Sequence, residues 1–193
     1  MKTMPAPIET AFFSQRLYSV DVDFPERIHS QDAKVAAVLL PLVSIEEEYH
    51  VIYTKRTETV LSHKGQISFP GGMAEVQDID PCRTALRETE EELGIPAASI
   101  KLVGRLEQVQ TFTNLIIYPF VGIVDWPVPL ILSTEEVSKI ILIPLHWLME
   151  PEHSIEKEYN GHQNVVFFQP YEGEVLWGIT ASMTKKFISM LEK

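Results

Sequence analysis

Glu88, Glu91 and Glu92 lie in the run Arg87-Glu88-Thr89-Glu90-Glu91-Glu92-Leu93-Gly94-Ile95, where the chain concentrates its chemistry. On a helix turning about 100° per residue, these three carboxylates fall within roughly one third of the circumference. Like charges so close repel and raise one another's pKa unless a cation sits among them. The pattern therefore points to a bound divalent metal, and donors that are all oxygen select Mg²⁺ or Mn²⁺. Leu86 and Leu93 lie on the other side of the same helix and anchor it to a core, which argues against a merely solvated acidic face.

Charge narrows the partners. With 16 basic and 27 acidic residues the net charge is −11, the wrong sign for gripping a nucleic-acid backbone or an anionic membrane surface. A small polyphosphate would be repelled too, unless divalent cations neutralise the acidic site, so the balance favours metal-dependent phosphate chemistry. Cys82 is the only cysteine, which excludes an intrachain disulfide, and with no histidine near it in sequence it reads as a small helix residue rather than a nucleophile. The amino-terminal MKTMPAPIETAFFSQRL lacks the apolar run of a signal peptide, and no segment is long enough to span a bilayer. A cytoplasmic location is the expectation.

The elements that must position the acidic face follow from periodicity. Residues 1–32 read as an arm that packs on the domain, with Phe12, Phe13 and Leu17 at helical spacing; residues 33–193 read as one domain. AKVAAVLLPLV and YHVIYTKR are two strands separated by Glu46-Glu47-Glu48, and Gln66 to Phe69 is a short strand that stops at Pro70-Gly71-Gly72. The helix runs from about Pro81 to Leu93, with Asp80 a candidate cap, Gly94 its stop and Pro96 beyond. Strands follow near 100–110, at 115–124 and at 139–145, then a short helix near 146–149 and two strands within 155–177. Residues 178–192 form an amphipathic helix with Ile179, Met183, Phe187 and Met190 or Leu191 on its core stripe. Trp126, Trp147 and Trp177 read as core. The order implies an α+β class: a mixed β-sheet packed between helices.

The acidic run resembles the box of the Nudix hydrolases, G-x5-E-x7-R-E-U-x-E-E-x-G-U, through Arg87, Glu88, Glu91, Glu92, Gly94 and Ile95. The first half is longer by one residue: counting from Gly72 places Asp78 at the first acidic position, with eight residues rather than seven between it and Arg87. Thr89 also stands at an apolar position of the box. This extension is similar to the coenzyme A pyrophosphatase branch. That branch also has an upstream signature matched by Thr54, Arg56, His63, Gly65, Gln66, Ile67, Phe69, Pro70, Gly71 and Gly72. Leu61 and the stretch Gln110 to Asn114 depart from the branch pattern.

The resemblance implies an α/β/α sandwich and a metal-dependent pyrophosphohydrolase acting on coenzyme A or its derivatives, with another nucleoside diphosphate derivative (ADP-ribose, a dinucleotide or a nucleoside triphosphate) as the alternative. A ligand-binding module without catalysis is the rival from a different class; the intact glutamate set argues against it. By the family pattern Glu88, Glu91, Glu92 and the Gly72 carbonyl hold Mg²⁺ or Mn²⁺, one glutamate serves the attacking water, and Arg87 orients a carboxylate. Arg56, His63, Gln66 and Gly71 are the expected substrate contacts, with a loop hydrogen bond as the alternative for His63. Glu75, Asp78 and Asp80 form either a solvated acidic loop or an outer metal shell. The implied partner is a nucleotide-containing diphosphate, and a homodimer is compatible with the resemblance.

Overall fold

β1 (Lys34–Ile45) is buried along almost its whole length, because the sheet is covered on both faces. The computed structural model describes residues 10–22, 34–58 and 64–193. Alternate side chains of β1 enter different cores: Ala36, Leu40 and Leu42 point one way, and Val35, Ala37, Leu39 and Val43 the other. A turn at Glu46 and Glu47, both with left-handed backbone at φ of 49° and 66°, folds β1 back onto β2 (Glu48–Arg56).

β3 (Ile67–Ser68) pairs with β2, and β4 (Gly71–Met73) then pairs antiparallel with β1. The chain thus does not leave the sheet at Pro70-Gly71-Gly72, contrary to the expectation from sequence. Pro70 has no N–H for a ladder, but its carbonyl accepts from Leu39 at 2.9 Å while the chain changes partner from β2 to β1. α2 (Pro81–Leu93) follows, after α1 (Thr10–Ser14) near the amino terminus.

The stretch near 100–110 divides into β5 (Ile100–Arg105) and β6 (Val109–Gln110), both antiparallel to β7 (Leu115–Val124). β7 runs parallel to β1, and β8 (Val137–Pro144) lies antiparallel to β2. Among the described residues the result is an eight-stranded mixed sheet. α3 (Leu145–Met149), the hairpin β9 (Ser154–Tyr159) with β10 (His162–Phe168), and α4 (Gly178–Leu191) complete the described elements. The α+β class stands, with a mixed sheet and helices against it.

α2 covers one face, with Ala85 against Val35, Ala37 and Phe120 and Leu93 among Val43, Ile52 and Val124. α4 covers the other through Met183, Phe187 and Ile188, and Phe13 of α1 stacks on Phe187 at 6.3 Å. Ile179 is not on the core stripe of α4; it is 39% exposed, and Thr180 and Thr184 are buried instead. The inward hydroxyl of Thr184 is satisfied there: it lies 3.0 Å from the Tyr53 hydroxyl and donates to the Thr180 carbonyl at 2.9 Å. The three tryptophans are half-buried rather than core. Among the described residues no helix is long and apolar enough to cross a membrane.

Candidate active site

α2 begins where Asp80, in extended conformation, accepts the Arg83 backbone N–H at 2.8 Å, and Pro81 fills the first position. It ends at Gly94, whose φ of 71° closes the helix with an N–H bond to the Glu90 carbonyl. The segment before β8 holds this end in place: Ile131 N–H donates to the Leu93 carbonyl and Ser133 N–H to that of Glu92. Thr89 is fully buried, and its hydroxyl donates to the Ala85 carbonyl at 2.7 Å, which is how an apolar position of the box accepts a threonine.

Arg87 organises the loop before the helix. Its Nε and Nη2 both donate to Asp78 at 3.1 Å, Nη2 reaches the Met73 carbonyl, and Nη1 lies 2.9 Å from Glu91 and 3.0 Å from Glu88. Asp78 is not solvated: its side chain is 4% exposed, and both of its oxygens accept hydrogen bonds. Burial alone would raise its pKa, but the bonds from Arg87, the Glu75 N–H and the Thr84 hydroxyl outweigh that and hold it below the usual carboxylate range. The Asp78 bond in turn raises the pKa of Arg87. Asp80 is taken up by the cap, and Glu75 is the half-exposed member of the three. Asp78→Ala strands the guanidinium in a partly buried site, so thermal unfolding of that variant is expected to show a loss of about 2–4 kcal/mol.

Glu88, Glu91 and Glu92 share the expected side of α2 but differ in environment. Glu91 is 58% exposed and pairs with Arg87, whereas Glu92 is 3% exposed. Among the described residues no three carboxylate, imidazole or thiol groups form a closed metal-ligand cluster. Two of the glutamates meet the Arg87 guanidinium instead. Glu88 abuts Gly72 so closely that a Cβ on that glycine would lie 2.5 Å from the carboxyl carbon. Gly72 is thus required for close approach, and its backbone sits against the acidic face.

Burial pushes the pKa of Glu88 up, opposed by Arg87 and assisted by Glu91 and Glu136. Burial likewise drives Glu92 up to about 8; Glu88 and Glu136 add to the rise, while Arg56 and the Gly71 N–H oppose it. Glu92 Oε2 is buried without a hydrogen-bond partner among the described residues, and so is Arg56 Nε. Such groups are costly unless a ligand or ion meets them. Two carboxylates destabilised as anions, one with an orphaned oxygen, are the donor set that a hard divalent cation satisfies.

Of the remaining sequence candidates, Gln66 and Gly71 stand at the two ends of the β3 to β4 stretch, and the Gln66 carbonyl accepts the Arg56 N–H at 3.0 Å. His63 lies outside the described residues. Cys82 is partly buried, and burial together with Asp80 pushes its thiol up to about 11, which leaves it inert at neutral pH. Glu136 was missed by sequence reasoning. Its N–H bonds the Ser133 carbonyl, and Thr57 holds the Glu136 carbonyl through its own N–H and that of Glu135 through its hydroxyl. The signal that could have found it was its place in the EEVSKIILIPLHWL run, just before β8.

A NUDIX domain model matches residues 33–166. The chain is 34% identical over 152 residues to proteins called uncharacterized Nudix hydrolase NudL in Yersinia pestis (strain Pestoides F) and Yersinia pseudotuberculosis (serotype O:1b), covering 78% of this chain and 76% of theirs. Among solved structures, a MutT/nudix family protein from Enterococcus faecalis aligns with a TM-score of 0.58 at 12% identity, over 99% of this chain and 76% of that one. The MutT protein of Methanosarcina mazei Go1 aligns with a TM-score of 0.51 at 16% identity, over 84% and 95%. These two likenesses concern the fold alone. Nudix hydrolases generally act with divalent ions such as Mg²⁺ or Mn²⁺, the donor chemistry that the buried glutamates suit. The family model and the relatives agree with the acidic helix that the geometry presents: the chain is a member of the Nudix hydrolase family and acts on diphosphate bonds.

Proposed function

We propose that the protein cleaves the diphosphate bridge of coenzyme A or a coenzyme A derivative, giving adenosine 3′,5′-bisphosphate and 4′-phosphopantetheine or its acylated form. The metal-site half of this reading is supported by one observation: the buried, unpartnered Oε2 of Glu92 beside Glu88. The substrate half draws support from the branch signature, whose residues Thr54, Arg56, Gln66, Ile67, Phe69, Pro70, Gly71 and Gly72 fall on β2 and along the adjoining stretch that carries β3 and β4.

Glu88, Glu91, Glu92 and the Gly72 carbonyl would hold Mg²⁺ or Mn²⁺, which when bound neutralises charge on the phosphate oxygens and lowers the pKa of coordinated water. The residues themselves set the rest. Hydrolysis joins a water oxygen to one phosphorus, breaks the bond from that phosphorus to the bridging oxygen and releases a proton, which a glutamate of this face accepts. Arg87, pinned by Asp78, keeps Glu88 and Glu91 oriented. Arg56, whose charge acts on Glu92 and whose Nε is unpartnered, is a cation available for a phosphate oxygen.

Leu61 and the Gln110 to Asn114 stretch depart from the branch pattern, and on that ground a different nucleoside diphosphate derivative is the second reading. A substrate panel with Mg²⁺ or Mn²⁺ and product analysis separates the two. Preferential release of adenosine 3′,5′-bisphosphate from coenzyme A is the expected result, and preferential release of AMP from ADP-ribose overturns it.

A further inference from the structure

Glu136 is exposed to solvent, yet its charge reaches both Glu88 and Glu92. The turn that carries it has no packing to hold it in place. Residues 134–136 are all exposed, and the chain regains an apolar anchor only at Val137, which is 3% exposed. Hydrogen bonds must therefore set the position of this turn.

Those bonds come from two directions. At the end of α2, the carbonyls of Leu93 and Glu92 accept the N–H groups of Ile131 at 2.9 Å and Ser133 at 3.0 Å, so acceptors that the helix leaves unused fasten one side of the segment. The Ser133 carbonyl then accepts from the N–H groups of both Glu136 and Val137, at 3.0 Å and 2.8 Å, which closes the turn. On the β2 side, Thr57 donates its N–H to the Glu136 carbonyl at 2.9 Å and its hydroxyl to the Glu135 carbonyl at 2.8 Å. One bond would leave the turn free to pivot about it. Two bonds from one residue to successive carbonyls fix its direction as well.

The ladder next to this grip is irregular. Lys55 faces Lys139 but Arg56 faces Val137, so Ser138 is an extra residue in β8 and the strand bends there. The Ser138 hydroxyl donates to the Lys55 carbonyl at 2.9 Å, an exposed bond between the same two strands that involves neither Glu135 nor Glu136. The Thr57 hydroxyl bond is exposed too, and bonds of that kind add little to stability. Its effect is on position.

We propose that Thr57 is a positioning residue for the hydrolysis: it holds the Glu135–Glu136 backbone so that the Glu136 carboxylate stays beside the face formed by Glu88 and Glu92. The inference rests on the metal-site half of the reading above and not on the choice of substrate. It is tested by steady-state kinetics of the full chain with Mg²⁺, on whichever diphosphate the substrate panel shows to be hydrolysed fastest.

Thr57→Val keeps the shape and removes the hydroxyl, so kcat falls about tenfold while KM stays within about twofold. Thr57→Ser restores the donor and brings kcat back to within about twofold of the wild type. Ser138→Ala removes the neighbouring bond and leaves kcat unchanged. Glu136→Gln lowers kcat by about tenfold or more, and adding Thr57→Val to it lowers kcat by no more than about a further twofold, because Thr57 acts through Glu136. A wild-type kcat in Thr57→Val or in Glu136→Gln overturns the proposal. Equal losses in Thr57→Val and Ser138→Ala, or losses that multiply in the double variant, overturn it as well; should Thr57→Val fail to fold, Thr57→Ala carries the same comparison. A preferred substrate other than coenzyme A sinks the coenzyme A assignment but leaves these ratios standing, so the two failures are distinguishable.

Discussion

Glu92→Gln abolishes turnover, lowering kcat by about a thousandfold or more, while the variant stays folded and loses the pH dependence of stability that Glu92 confers. The catalytic loss follows if the Glu92 carboxylate is one of the groups that hold the metal against the diphosphate. The stability effect follows from burial, which raises its pKa to about 8. A carboxyl whose folded-state pKa is raised stabilises the fold fully below its unfolded pKa, near 4, and loses that contribution as pH rises through about 8. In chelator, the melting temperature of the wild type therefore falls between about pH 5 and pH 8, by an amount equivalent to a few kcal/mol. The amide introduced by the substitution is never charged and removes that slope, and Mn²⁺ flattens it in the wild type. Asp78, with its depressed pKa, acts in a lower window: its stabilisation is lost only as acid protonates it. Kinetics and a pH series of melting curves check both halves, and a Glu92→Gln enzyme with near-normal kcat removes that residue from the site.

Gly71→Ala is expected to unfold the protein or to destabilise it by about 3 kcal/mol or more. Gly71 has φ of 151°, and a Cβ there would lie 2.4 Å from the Ala37 carbonyl oxygen and 2.6 Å from the Val38 Cα. Both obstacles are backbone of the central strand, which is buried on both faces and cannot move aside. At Gly72 the atoms nearest an added Cβ are the carboxylate end of the flexible Glu88 side chain, so the loss from Gly72→Ala should be smaller in stability and larger in activity. Chemical denaturation and kcat measured side by side separate the two glycines. Comparable stability losses would mean that the approach of Glu88 to Gly72 has no special importance.

Which parts of this fold could be seen in the sequence depended on whether the determining forces were local. α2 was legible to its end residues because Asp80, Pro81 and Gly94 act within a few residues of the termini. β7 was legible because eight of its ten residues are apolar or aromatic, with turn residues before them, even though Pro119 and Gly122 interrupt the run. The stripe of α4 was misread at Ile179, since the partner that lets Thr184 go inward is the hydroxyl of Tyr53, far away in sequence. The tryptophans were misplaced for a related reason: size and hydrophobicity do not say which ring ends at a margin. In the candidate site, the three glutamates share a helix and could be grouped by spacing alone. The bond from Arg87 to Asp78 bridges an irregular loop, and the proximity of Glu136 and Arg56 to Glu92 depends on strand register, so neither could be derived from periodicity.

The parallel pairing of β1 with β7 matches Lys34 with Leu115, and α4 closes the core they share only from Gly178 onward. Contacts at such separation carry a large loop-closure cost and form late. A nascent chain emerging from the ribosome must therefore carry the apolar side chains of β1 uncovered until segments far downstream of it have been made. During synthesis the aggregation hazard therefore lies in β1, a strand that is buried along almost its whole length once folding is complete.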